Sequence, residues 1–115
     1  MMNVSSEKSG VGAGVLIRAL EPLEGIELMQ KNRGIHRLMD LARGPGRLAK
    51  AMDIDKRFDG VDLCSKGPLW LGTPIRPAGA IGMSIRIGIT RDVHRPHRYY
   101  EVGNPFLSGP KSLSP

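Results

Sequence analysis

The sequence predicts a small α+β domain: a curved antiparallel sheet, open-barrel-like, with helices packed against it and incomplete on its N-terminal side. Three observations carry this expectation. Val15 to Leu20 is apolar except at Arg18 and is bounded by Gly14 and Pro22, the pattern of a short buried strand. Residues 83–89 alternate, with Met83, Ile85, Ile87 and Ile89 apolar against Ser84, Arg86 and Gly88, the period of a half-buried strand. Between them, Ile26, Met29, Ile35, Leu38, Met39 and Ala42 recur at helical spacing.

Taken in order, Met2 to Ser5 reads as a strand end, and the polar, Gly-rich Glu7–Gly14 as the turn of a hairpin leading into Val15–Leu20. A chain that starts inside a hairpin implies further sequence upstream. Arg18 in that strand needs a partner, because an unpaired buried charge is costly. Glu21 or Glu24, a solvated face, or an anionic ligand would each serve. A helix follows over residues 25–42, loosened at Asn32 to Gly34, with Glu24 and Glu27 near its start and Arg37 and Arg43 near its end, as the helix dipole prefers. Gly44-Pro45-Gly46 opens a second short helix, proline sitting near its first position. Leu48, Ala49 and Met52 form its apolar face, and Arg47 and Lys50 its polar one.

From Asp59 onward the chain is rich in turns, with Leu69-Trp70-Leu71 as a short strand packed on the core. Gly88 suits close approach of another backbone or a ligand. Residues 91–98 form a basic loop, and Tyr99–Val102 a last strand. His94 and His97 lack the Cys or carboxylate pattern of a metal site, so a solvated loop is expected there and no metal. Residues 109–115 read as a loose tail.

Composition narrows the partners. At 115 residues the chain is one small domain or part of one, and 17 Lys and Arg against 11 Asp and Glu leave a net charge of +6. That balance favours a polyanion, nucleic acid first. No apolar run is long enough to span a bilayer, and the start lacks a signal pattern, so neither membrane nor export is expected. The single Cys64 forms no internal disulfide, as suits a reducing compartment.

Collinear motifs carry a more specific resemblance. Met2-Asn3-Val4-Ser5-Ser6, Val15-Leu16-Ile17-Arg18-Ala19-Leu20-Glu21-Pro22-Leu23-Glu24-Gly25, Gly44-Pro45-Gly46-Arg47-Leu48, Ile54-Asp55-Lys56, Arg86-Ile87-Gly88-Ile89, Arg98-Tyr99-Tyr100 and Gly103-Asn104-Pro105 follow one another in the chain. In this order they resemble the alkylpurine (3-methyladenine) DNA glycosylases of the mammalian type, from residue 2 to about residue 108.

The resemblance implies a base-excision repair enzyme that rotates alkylated purines such as 3-methyladenine out of double-stranded DNA and hydrolyses the N-glycosidic bond without a cofactor. It implies that Asn3 lies in the base pocket. Arg18, with the backbone carbonyl of Ile87, would hold the attacking water. Arg47, a lysine in most of the family, and Lys56 would face DNA phosphates, and Gly88 would let the strand come close. It also implies a location with DNA: cytoplasmic at the nucleoid in a bacterium, nuclear in a eukaryote.

The family's catalytic glutamate, stacking aromatics and tyrosine wedge precede the Met2–Ser6 motif. The chain therefore reads as a C-terminal portion, residues 1–108, of a single glycosylase domain with its N-terminal half missing. No glutamate here inherits the role of the general base. The competing reading is a non-catalytic DNA-binding remnant that grips phosphates through Arg47, Lys56 and the basic residues from Arg86 to Arg98.

Overall fold

The computed structural model describes residues 1–5, 12–92 and 94–113. Its elements are β1 (Asn3–Ser5), β2 (Gly14–Leu16), α1 (Ile26–Arg33), α2 (Pro45–Ala51), β3 (Ile81–Ser84) and β4 (Arg98–Glu101), with single 3-10 turns at Leu38–Asp40, Lys56–Phe58 and Lys111–Leu113. The class is α+β, as expected. The sheet is not one curved surface among the described residues: β1 pairs with β2 and β3 with β4, both antiparallel, in two separate two-stranded sheets.

The hairpin expected at the start is present, with Asn3 opposite Leu16, Val4 opposite Val15 and Ser5 opposite Gly14. Its connecting turn falls largely on residues 6–11, outside the described residues. The strand expected to run from Val15 to Leu20 ends at Leu16. Beyond it the backbone holds on by single links, the Ile17 N–H to the Met2 carbonyl at 3.0 Å and the Leu20 N–H to the Ala42 carbonyl at 3.1 Å, with an isolated bridge between Ala19 and Arg43. Nor is the run buried throughout: Val15 is 53% and Leu20 39% exposed. A two-stranded ribbon covers only one face, so alternate residues look outward.

The expected helix over 25–42 is divided. Gly34, at φ 69°, takes the left-handed conformation that closes α1, and its N–H donates to the Gln30 carbonyl at 2.8 Å. Side chains at that end tie the next elements together. Asn32 Nδ2 donates to the last carbonyl of α2, at Ala51, and Arg33 donates to the carbonyls of Leu41 and Asp40. Pro45 stands in the first turn of α2, where its missing N–H costs nothing. Leu48 and Ala49 are buried, Met52 half-buried, and Arg47 and Lys50 exposed, as the sequence pattern requires, and Ala51 is buried beside them. The core is small: Ala42, Leu48 and Ala51, with Met2, Ile17, Met29 and Met52 packed around them.

The alternating strand expected over 83–89 is displaced to Ile81–Ser84, and its faces are reversed. Ile81, Met83 and Ile85 look outward at 58%, 60% and 43% exposure, while Gly82 and Ser84 face inward. The cause is β4. Tyr100, opposite Gly82, lays its ring across the position that a side chain on Gly82 would occupy, so the inner face is built from Tyr100 and Arg98 rather than isoleucines. Leu69-Trp70-Leu71 is not a strand: Trp70 is 57% exposed, and one bond, the Leu71 N–H to the Leu63 carbonyl at 2.8 Å, holds the segment. Residues 109–113, expected to be loose, include the Lys111–Leu113 turn, whose last carbonyl accepts from Arg98. No helix among the described residues is long and apolar enough to cross a membrane.

Candidate nucleic-acid site

Between the end of β2 and the inner face of β4 lies a cleft of about 770 Å³. Its lining comes from Asn3 and residues 14–21 of the first ribbon and its continuation, from residues 97–101, Asn104 and residues 106–108 of the second, and from Arg86 and Ile89. Three guanidinium groups converge here: Arg18, Arg86 and Arg98.

Their environments differ. Arg98 is 4% exposed and bonded on several sides. It donates to the Ser108 carbonyl at 2.6 Å, the Leu113 carbonyl at 3.2 Å and Ser84 Oγ at 2.9 Å, and its carbon Cζ lies 5.1 Å from the centre of the Tyr100 ring. Burial draws its pKa below the ordinary arginine value, and the positive charge of Arg18 adds to that. Arg18 is half-buried, and its Nε is shut away from solvent without a hydrogen-bond partner. Neither Glu21 nor Glu24 forms an ion pair with it, since Glu21 lies 3.9 Å from Arg76 instead. Arg86 repeats the pattern, with a buried, unpartnered Nε. A cationic donor left without an acceptor is expensive, and two such donors in one cleft suit an anionic occupant.

The acids of the cleft are committed elsewhere. Glu101 accepts the Gly79 N–H at 3.4 Å and Asn104 Nδ2 at 3.4 Å, and lies 3.5 Å from Arg76. The backbone N–H of Gly79, foremost, keeps its carboxyl below the usual value of 4.5. A carboxyl with a depressed pKa in the fold adds stability that is present above its unfolded value and lost as pH falls through the folded one. Melting temperature should therefore drop on acidification below about 4.5 more steeply in the native chain than in Glu101→Gln. Parallel curves for the two would contradict this.

The expected site residues divide into two groups. Asn3, opposite Leu16 and exposed, and Arg18 both line the cleft. Ile87 and Gly88 lie beside it, in the loop after β3. Ile87 is not among the cleft's lining residues, and its Cδ1 fills the space over Gly109. Gly88 lines an adjoining cavity of about 410 Å³ with Arg86, Ile89, Thr90, Arg91 and Asp92. Arg47 and Lys56 stand apart, exposed on α2 and on the Lys56–Phe58 turn. Cys64 is exposed. Among the described residues no group of three or more His, Cys, Asp and Glu could hold a metal ion.

Arg98, expected at the end of a solvated basic loop, is instead a buried residue of the cleft lining. The signal was available in the alternation of Arg98 and Tyr100 against Tyr99, which puts the first two on one face of a strand.

Comparison with known proteins agrees with the resemblance read from the motifs. The family model described as methylpurine-DNA glycosylase matches residues 1–105. A protein of Mesorhizobium japonicum named "Putative 3-methyladenine DNA glycosylase" is 63% identical over 113 residues, which cover 98% of this chain and 54% of that protein. Proteins of the same name from Paraburkholderia phytofirmans and Rubrobacter xylanophilus are 49% and 40% identical, over 98% and 99% of this chain and 53% and 59% of theirs. The chain thus spans about half the length of the curated relatives it matches. With the family model covering nearly its whole length, the chain belongs to the methylpurine-DNA glycosylase family.

Proposed function

We propose that residues 1–108 form the C-terminal portion of an alkylpurine DNA glycosylase domain, which excises bases such as 3-methyladenine from double-stranded DNA by hydrolysis of the N-glycosidic bond. The observation that carries this reading is the cleft itself, whose lining includes both Asn3 and Arg18, the latter with a buried Nε that has no hydrogen-bond partner. In the reaction a flipped purine enters the cleft. The Asn3 amide tests its polar edge, since a mismatched donor or acceptor leaves buried groups unpaired. Arg18, with the Ile87 carbonyl, orients the attacking water. Arg47 and Lys56 hold phosphates outside the cleft, and Gly88, at φ 72°, lets the strand approach.

The group that deprotonates the water lies outside these 115 residues. In support, the two glutamates that line the cleft both lie beside Arg76, and Glu101 is a weaker base than an ordinary carboxylate. The curved sheet of an open barrel would then be completed by strands from the same missing half, and the DNA it acts on is that of the cell interior. The fall-back reading, DNA binding without chemistry, has the same basic residues in its favour and is an outcome of the test.

That test is release of radiolabelled 3-methyladenine from alkylated duplex, by the chain alone and by the chain together with the unmatched half of the Mesorhizobium relative. No release alone and release on complementation is the expected result. Release by the chain alone would put the general base within it. Binding without release in both would leave the non-catalytic reading.

A further inference from the structure

We propose that Gly109 is a positioning residue: within the strap from Ser108 to Leu113 it seats the Ile87 side chain, and so fixes the carbonyl that holds the attacking water. The inference rests on the glycosylase reading for the duty of that carbonyl, while the seat stands on packing alone. Regular structure does not hold Ile87 in place. No strand lies between Ser84 and Arg98 among the described residues. Gly88, at φ 72° and with nothing within 4 Å of where its side chain would stand, gives the loop a pivot. Arg86 and Ile89 on either side line the cleft, so whatever anchors Ile87 between them decides where its carbonyl stands.

The anchor is the half-buried side chain of Ile87 itself. Its Cδ1 occupies the space over Gly109, where a Cβ would collide with it. Gly109 suits the place twice over: it has no Cβ, and its φ of 85° lies in the left-handed region that other residues adopt only with strain. A β-branched side chain is stiff about χ1, so a seated Ile87 carries its backbone with it. The seat is held in turn. Arg98 donates to the Ser108 carbonyl at 2.6 Å on one side of Gly109 and to the Leu113 carbonyl at 3.2 Å on the other. Its link to Ser84 Oγ at 2.9 Å ties both to the end of β3. Between the two anchored carbonyls, the Leu113 N–H donates to the Pro110 carbonyl at 3.0 Å and closes the turn. The family model stops at residue 105, short of this strap.

The test is a double-mutant cycle of Gly109→Ala and Ile87→Val. It is read by amide hydrogen exchange of the chain and by single-turnover release of 3-methyladenine from alkylated duplex by the complemented protein. Gly109→Ala puts a methyl where Cδ1 lies, and the isoleucine can turn away only by leaving its seat. Exchange over residues 85–92 should quicken while that of α2 holds. Release should fall about tenfold with affinity for the duplex unchanged, since a displaced carbonyl costs rate rather than binding. Ile87→Val removes Cδ1 alone, so in the double variant one methyl replaces the other and most of both losses should be recovered. Strain at φ 85° is common to both backgrounds and cancels in the cycle. No recovery with Ile87→Val assigns the loss to that strain and overturns the seat, as does unchanged exchange over residues 85–92 in Gly109→Ala. Quickened exchange with undiminished release, or a fall in affinity equal to the fall in release, overturns the positioning role. Should Gly109→Ala unfold the chain, Ile87→Ala decides, because it empties the seat and leaves the strap unstrained: exchange must quicken and release must fall, or the inference fails. Absence of release by the native complemented protein overturns the glycosylase reading and the carbonyl's role with it, and exchange alone then judges the seat.

Discussion

Arg18→Ala is expected to lower single-turnover base release by the complemented protein about 10²-fold, the scale of losing a group that positions the attacking water. The fold should not suffer with it. Arg18 Nε makes no hydrogen bond, and its charge opposes that of the more deeply buried Arg98. Removing it relieves both a desolvated donor and a like-charge repulsion, so the melting temperature should stay constant or rise. Loss of activity with retained or increased stability is the signature of a group kept for an absent ligand. Equal loss of both would make Arg18 a structural residue and remove the chief support for the proposed function.

Arg98→Ala has the opposite profile. Arg98 holds Ser84 Oγ, the Ser108 carbonyl and the Leu113 carbonyl together, so β3, β4 and the Lys111–Leu113 turn meet at one guanidinium. Truncation strands those acceptors in a site that is 4% exposed. The cost should be about 3 kcal/mol, since a hydrogen bond from a charged donor contributes about 1.5–3 kcal/mol and buried acceptors are left unpaired, which is a large share of the stability of a small domain. Lysine should not rescue it, because one ammonium cannot reproduce a planar fork that serves several directions. Urea unfolding would measure the loss, and limited proteolysis would detect release of residues 108–113. A change below about 1 kcal/mol, the scale of an exposed pair, would mean that Arg98 is replaceable and that the far wall of the cleft is held by packing.

Much of this was legible in the residues because local rules decide it. The Gly34 stop, Pro45 at the start of α2, the buried face of Leu48 and Ala49, and the first hairpin follow from backbone preference and helical or strand period. Membership of the family was readable from the order of its motifs. What escaped was set by long-range pairing. Alternation around Met83 gives a strand but not the identity of its inner face: Tyr100 lies over Gly82, Ile81, Met83 and Ile85 face outward, and Ile87 and Ile89 are half-buried as expected. Trp70 looks like core by type, yet it stands 57% exposed. Among the site residues, Asn3 and Arg18 line one cleft, whereas Arg47 and Lys56 are exposed outside its lining, a division that sequence order does not reveal.

The small core has a consequence for how the molecule opens. Its buried members come from residues 41–51, with Met29 of α1 packed on them, so the most persistent cooperative unit is the helical pair and the turn that joins it. The cleft draws instead on two ribbons and their flanking loops, whose largest apolar side chains mostly face water. Amide protons should therefore exchange from the cleft walls by local, low-energy fluctuation, while those of α2 wait for global unfolding. The two ribbons can therefore shift relative to each other while the helical pair stays folded.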